Sequence, residues 1–192
     1  MKLITLYEAF LDASPNIGND DQVNNLLEQI NEIRHMPNAP RSNEGCWRSA
    51  HVFKNIDWLL KEITDKAFNA VSLYSEKDHL FAEEIKSIGK NNLKINYWTN
   101  VNQPGSINNL HSHKIAIFSG VYYIQGTDTG SLRIMNPANT LGDCNNLSPY
   151  TRDFNYLPHD RDLILWPAWL PHEVKPNLSN RERINIAYDI LI

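Results

Sequence analysis

Apolar positions in the first half of the chain recur at helical spacing. Val23, Leu26, Leu27, Ile30 and Ile33 follow one another at i, i+3, i+4 and i+7 behind Asp20 and Asp21, whose carboxylates suit a helix start. The spacing predicts an amphipathic helix. Ile56, Leu59, Leu60, Ile63, Ala67, Ala70 and Val71 share one face of a second, longer helix. A shorter helical segment from Leu80 to Ile88 ends at Gly89, which reads as a C-cap. Between the first two helices, Pro37 to Ser49 holds Pro40, Gly45 and Trp47 and is expected to be an ordered loop, because a loop tip rarely carries a Trp without packing it.

From Leu93 the period changes to short β-type runs: Lys94 to Val101, Ala116 to Ile124, Ser131 to Met135, Asp162 to Trp166 and Ile184 to Leu191. Gly, Pro, Asn and Asp punctuate the gaps, and no helix of ordinary length fits between the runs, which argues against parallel βαβ units. The predicted class is α+β, mainly β: a sandwich or jelly roll with the N-terminal helices packed outside it. The length of 192 residues suits one domain over 1–192. Residues 1–92 would form a helical support with the first strand, and 93–192 the β core.

Composition narrows the function classes. A formal charge of −4 provides no basic footprint for a phosphate backbone, so non-specific nucleic-acid binding is disfavoured. Cys46 and Cys144 form no CxxC pair, which suits a reducing compartment. Glu8 interrupts the N-terminal apolar residues, and no run of about 18 apolar residues occurs, so a soluble cytoplasmic protein with no membrane partner is expected. Self-association into a homodimer is compatible with these features.

Candidate chemistry lies in the histidines. His111 and His113 flank Ser112, and residues two apart on an extended strand project to the same face, so both imidazoles can converge on one ion. His172 follows the apolar run Leu163 to Pro167 across a short turn. Three imidazoles would close one face of a metal and leave the other open, and imidazole suits Fe(II), Zn, Mn or Cu. His159 sits in a polar turn in which Arg161 occupies the place a carboxylate ligand would need. In the run Arg183 to Tyr188, alternation places Arg183, Asn185 and Ala187 on one face and Ile184, Ile186 and Tyr188 on the other. Arg183 is then either a cavity cation able to hold a carboxylate, with Asn185 beside it, or a surface residue paired with Glu182 or Asp189.

Several stretches carry a family resemblance: Ser42 to Ser49, Tyr97 to Gly105, His111-Ser112-His113, Ser119-Gly120-Val121-Tyr122-Tyr123, Leu165 to His172, and Arg183 to Tyr188. In their order and spacing the chain resembles the 2-oxoglutarate/Fe(II)-dependent oxygenases, and more narrowly the small oxygenases of bacteria and marine bacteriophages. The resemblance implies a double-stranded β-helix (jelly roll) that uses Fe(II), 2-oxoglutarate and dioxygen to hydroxylate a small molecule or peptide. It makes His111 and His172 ligands and sets Arg183 against the far carboxylate of 2-oxoglutarate, helped by Asn185 or the Tyr123 hydroxyl. Asn100 and Tyr97 become candidates for the pocket wall. In the family an Asp or Glu stands where this chain has His113, so a three-histidine site is implied here.

Two other readings use the same residues. A cupin-type metalloenzyme would share the barrel without 2-oxoglutarate, although Ile117 and Phe118 occupy the neighbourhood of the cupin glutamate. A β-sandwich binding module without catalysis would hold no stoichiometric metal. Substrate specificity is expected to lie in the loop Gly126 to Gly130 and in the long excursion Asn136 to Pro158, a candidate lid.

Overall fold

The computed structural model describes residues 9–39, 41–50, 52–75, 83, 86–137 and 152–192. The first helix, α1 (Asp20–Ile33), starts at a reciprocal cap. The Asn19 side chain accepts from the Gln22 N–H and the Gln22 side chain accepts from the Asn19 N–H, each at 2.9 Å. Its face Val23, Leu26, Ile30 and Ile33 is buried, as the periodicity predicts. The second helix, α2 (Asp57–Ser75), buries Leu59, Ile63, Ala67, Ala70 and Val71. The helix expected at Leu80 to Ile88 lies mostly outside the described residues. Gly89 has a φ of 77° and precedes a single 3-10 turn, Lys90–Asn92.

The strands are β1 (Asp12–Ser14), β2 (Asn43–Ser49), β3 (Lys94–His111), β4 (Phe118–Gln125), β5 (Leu132–Ile134), β6 (Phe154–Tyr156), β7 (Leu163–Pro167), β8 (His172–Val174) and β9 (Arg183–Leu191). They form one antiparallel sheet in the order β1-β7-β4-β9-β3-β8-β5-β6, with β2 added along β3. The long strand β3 turns this sheet into a half-barrel. Lys94 to Asn102 pair with β9, whereas Asn108 and His111 pair with β8, so one strand serves two layers. Between the two stretches, β2 passes directly from pairing Glu44 with Ile107 to pairing Cys46 with Asn102. Four residues of β3 therefore bulge opposite Gly45, around Pro104 and Gly105. Gly105 turns the corner at a φ of 84°, and its N–H donates to the Asn177 carbonyl at 2.7 Å.

The curl gives the central strands two buried faces. On the outer face, Val101, Phe118, Tyr122, Leu163, Leu165, Ile184, Ile186 and Ile190 pack with the apolar faces of α1 and α2. On the inner face, Tyr123, Leu132, Ile134, Ile164, Trp166 and Leu170 form a second, smaller cluster. The expected helices-outside jelly roll is observed, and the double burial explains why β7 reads as a continuous apolar run.

The expected loop from Pro37 to Ser49 contains a strand instead. Asn43 and Arg48 of this strand are polar and line a cavity, so β2 lacks the apolar alternation that marks a half-buried strand. The excursion from Asn136 contributes an edge strand, β6, paired with β5, and residues 138–151 of the candidate lid lie outside those described. Among the described residues, no helix is long and apolar enough to cross a membrane.

Gly120 explains part of the Ser119 to Tyr123 stretch. It pairs with Tyr188, whose hydroxyl passes over it to donate to the Ile164 carbonyl at 2.8 Å. A Cβ at Gly120 would lie 2.2 Å from the Tyr188 ring and 2.3 Å from that carbonyl. Gly120→Ala is therefore expected to cost at least about 1–3 kcal/mol by overpacking, and Ile63→Ala in the outer core about 2–5 kcal/mol, both read from urea unfolding midpoints.

Candidate metal centre and its cavity

The sheet register assembles the histidines. His111, the last residue of β3, is the cross-strand partner of His172, the first residue of β8, so both imidazoles leave the same face. His113 lies two residues beyond β3 and is held by its backbone N–H, which donates to the Ala168 carbonyl at 3.0 Å in the turn before β8. The ring centroids are 4.3 Å apart for His111 and His172, 5.1 Å for His111 and His113, and 5.2 Å for His113 and His172. One nitrogen from each ring lies within 4.8 Å of the others, a spacing that could hold a metal ion.

The outward nitrogens decide which atoms are free. Nδ1 of His111 meets the Asn109 carbonyl at 2.6 Å, and Nδ1 of His172 meets the Leu170 carbonyl at 2.9 Å. Nδ1 of His113 meets the Asp189 carboxylate at 2.8 Å. Carbonyls and carboxylates only accept, so each Nδ1 carries a proton, and Nε2 is the nitrogen that a neutral ring offers to a metal. Burial, reinforced by the neighbouring His111, pushes His172 down to about 3, and burial also lowers His111. Both rings are thus held neutral, the form a metal requires.

Asp189 is fixed from a second side by the Ser119 hydroxyl, which donates to it at 2.6 Å. The His113 ring stacks on Trp98, with centroids 5.9 Å apart and planes 14° from parallel. Trp166 meets His172 edge-on at 4.9 Å, and its buried Nε1–H has no hydrogen-bond partner among the described residues. A cavity of about 350 Å³ opens over these rings, a size that suits a small ligand.

Arg183 lines this cavity and is 1% exposed. Its Nη1 donates to the Thr129 carbonyl at 2.7 Å, while Nη2 is buried with no partner among the described residues. Burial holds its guanidinium below the ordinary arginine value. The surface alternative for Arg183 is thereby removed, because Glu182 faces away and pairs with Arg34 and Gln103. Asn185 accepts from Asn100 at 3.0 Å, and Asn100 accepts from Asn43 at 2.9 Å, a polar ladder across β9, β3 and β2. Tyr123 lines the same wall, and burial pushes its phenol up to about 12 against the pull of Arg183, so the hydroxyl stays a donor at neutral pH.

Of the residues singled out in the sequence, His111, His113, His172, Arg183, Asn185, Tyr123 and Asn100 all line this one cavity. Tyr97 does not. It faces the outer layer, stacking on Phe53 at 6.3 Å, because strand alternation sends Trp98 and Asn100 inward instead. The Gly126 to Gly130 loop is pinned rather than free: Asp160 accepts from the N–H groups of Gly126 and Thr127, and Thr129 holds Arg183. Sequence reasoning missed Asp189, Ser119, Trp98 and Arg48. Extending the alternation Arg183, Asn185, Ala187 by one step places Asp189 on the cavity face.

Residues 96–189 match the profile of a family described as "Putative 2OG-Fe(II) oxygenase". The matched segment contains all three histidines and Arg183, and over it the chain is similar to that family. A Pseudomonas putida prolyl-4-hydroxylase superposes with a TM-score of 0.62 at 17% identity, covering 94% of this chain and 91% of that one. HygX from Streptomyces hygroscopicus, solved with nickel and 2-oxoglutarate bound, gives 0.59 at 11% identity, with 95% and 82% covered. AviO1 from Streptomyces viridochromogenes Tue57 gives 0.59 at 10% identity, with 95% and 89% covered. At these identities the likeness is one of fold, a curled half-barrel of the double-stranded β-helix type. No curated protein sequence matches the chain.

The depressed His172 has a consequence for the metal-free protein. Its folded pKa of about 3 lies below the unfolded value of about 6.5. The unfolded chain therefore binds more protons between these values, and stability falls as pH drops through that window. The slope is expected to be at most about 1.4 kcal/mol per pH unit for one such group. Denaturant unfolding of chelator-treated protein at stepped pH reads it, and His172→Gln should flatten the dependence.

Proposed function

We propose that this protein is a dioxygenase dependent on Fe(II) and 2-oxoglutarate, hydroxylating a small molecule or a peptidyl side chain. The observation that carries the reading is the pairing, in one cavity, of three clustered imidazoles with a buried guanidinium that has no anionic partner among the described residues. His111, His113 and His172 would hold the metal. An unpaired buried cation is costly, and a ligand carboxylate at Nη2 of Arg183 would relieve it. Asn185 and the neutral Tyr123 hydroxyl line the same cavity and would orient the same carboxylate.

Bound there, Fe(II) with 2-oxoglutarate and dioxygen supplies the oxidation: the 2-oxo acid leaves as succinate and carbon dioxide, and one oxygen atom enters a substrate C–H bond. The chain's own residues position and compensate. Neutral imidazoles add no charge to balance a divalent ion, and in this chain His113 stands where the family carries a carboxylate. The Asp189 carboxylate on His113 Nδ1 returns a negative charge one hydrogen bond further out and fixes the ring's orientation. Trp166, Val121 and Leu132 give the cavity an apolar wall that limits water.

A succinate-release assay with Fe(II), ascorbate and 2-oxoglutarate across a metabolite and peptide panel tests the reading. Absence of turnover together with absence of 2-oxoglutarate binding would sink it, and metal binding without 2-oxoglutarate binding would favour a cupin-type enzyme. By calorimetry, His172→Ala should lose Mn(II) binding. Arg183→Gln should retain the metal but bind 2-oxoglutarate about 2–5 kcal/mol more weakly. Asp189→Asn preserves the shape of the side chain and should lower metal affinity about 10–100-fold.

A further inference from the structure

Arg183 is not the only buried guanidinium in the cavity. Arg48, on β2, pairs across the sheet with Asn100 and points to the same inner face. It is 9% exposed, and its guanidinium carbon lies 4.9 Å from the centre of the Trp98 ring. That stack leaves its N–H donors in the ring plane unsatisfied by the aromatic face. One of them, Nη1, reaches the Ala39 carbonyl at 3.5 Å, the long limit of a hydrogen bond.

The charges around Arg48 do not neutralise it. Among the described residues, no carboxylate forms an ion pair with it. Arg41 lines the same cavity, and its positive charge adds to burial in lowering the Arg48 guanidinium below its ordinary value. The opposing influences are the Cys46 thiol and Asp189. Asp189 is the only acidic residue lining the cavity among those described, and His113 and Ser119 already occupy its oxygens. Lys114 adds a further cation to the lining. The excess positive charge at this end is separate from Arg183, which stands on β9 with β3 between.

Building on the oxygenase reading, we propose that Arg48, with Arg41 beside it, binds a carboxylate or phosphate of the substrate to be oxidised. The substrate class is then anionic. A guanidinium can grip either group through paired N–H donors, which an ammonium cannot do as well. Trp98 carries Arg48 over its ring and stacks with His113, and so sets the anionic group near the metal position.

The test uses the full chain loaded with Mn(II) and saturating 2-oxoglutarate, so that Arg183 is filled. Calorimetric titration with inorganic phosphate should show saturable binding, weakened at least tenfold in Arg48→Gln and less in Arg48→Lys, which keeps the charge. Both variants should bind Mn(II) and 2-oxoglutarate as the parent does. Phosphate binding that is absent, or equal in the parent and Arg48→Gln, overturns the proposal. If the parent binds neither Mn(II) nor 2-oxoglutarate, the oxygenase reading fails, and phosphate titration of the unloaded chain still reads Arg48 directly.

A second measurement compares carboxylated and phosphorylated metabolites with their neutral methyl esters or dephosphorylated counterparts, as stimulators of succinate release. The anionic members should stimulate, and the members that do so show whether the group is a carboxylate or a phosphate. Arg48→Gln should raise their KM at least tenfold with a smaller effect on kcat. Neutral counterparts that stimulate as well as the anions, in both proteins, overturn the proposal.

Discussion

β3 has to change partners halfway along its length, and the rest of the structure depends on that change. Its first stretch lies in the outer layer beside β9, and its last residues lie beside β8 in the other layer. A flat strand could not serve both. The bulge around Pro104 and Gly105, held by Asn177, bends the chain between them. Without that bend His111 would not lie opposite His172, and Arg183 and Asn185 on β9 would face solvent instead of an enclosed cavity. The bend also leaves the outer face of the sheet apolar, and α1 and α2 cover it.

The cavity that results is an electrostatic design with few compensating charges. Each imidazole is turned so that its Nδ1 meets an oxygen, which leaves Nε2 for a ligand. Two of those oxygens are neutral carbonyls and one is the carboxylate of Asp189, so the negative charge that a ligating carboxylate would have brought sits behind His113. Two guanidiniums, Arg183 and Arg48, are buried without carboxylate partners among the described residues. Leaving a cation unpaired in a buried wall is unfavourable in the empty protein and favourable once anions enter. The protein thus stores its preference for anionic ligands as unsatisfied donors, including Nη2 of Arg183.

How much of this was legible beforehand differs by element. α1 and α2 were plain, because a helix that covers one face of a sheet must repeat its apolar residues every third or fourth position. β4, β7 and β9 were visible as apolar or alternating runs. β2 was not, since its cavity-facing side is polar and its pairing comes from β3, far along the chain. The same applies at the site. His111, His113 and Arg183 stood out by spacing, and resemblance to known oxygenases gave them roles. Asp189 and Arg48 did not stand out, because a lone Asp near a strand end and a lone Arg in a polar stretch look like surface residues until the fold encloses them.

Local periodicity and residue chemistry were enough to indicate the class of fold, the helices that support it and the pairing of His111 with His113 on one face, because each depends on neighbours within a few positions of sequence. The charge balance of the cavity was decided by long-range pairing. Which carboxylate backs which histidine, and which arginines are cut off from solvent, follow from contacts such as His113 with Asp189 and Arg48 with Trp98, between residues that only the curled sheet brings together.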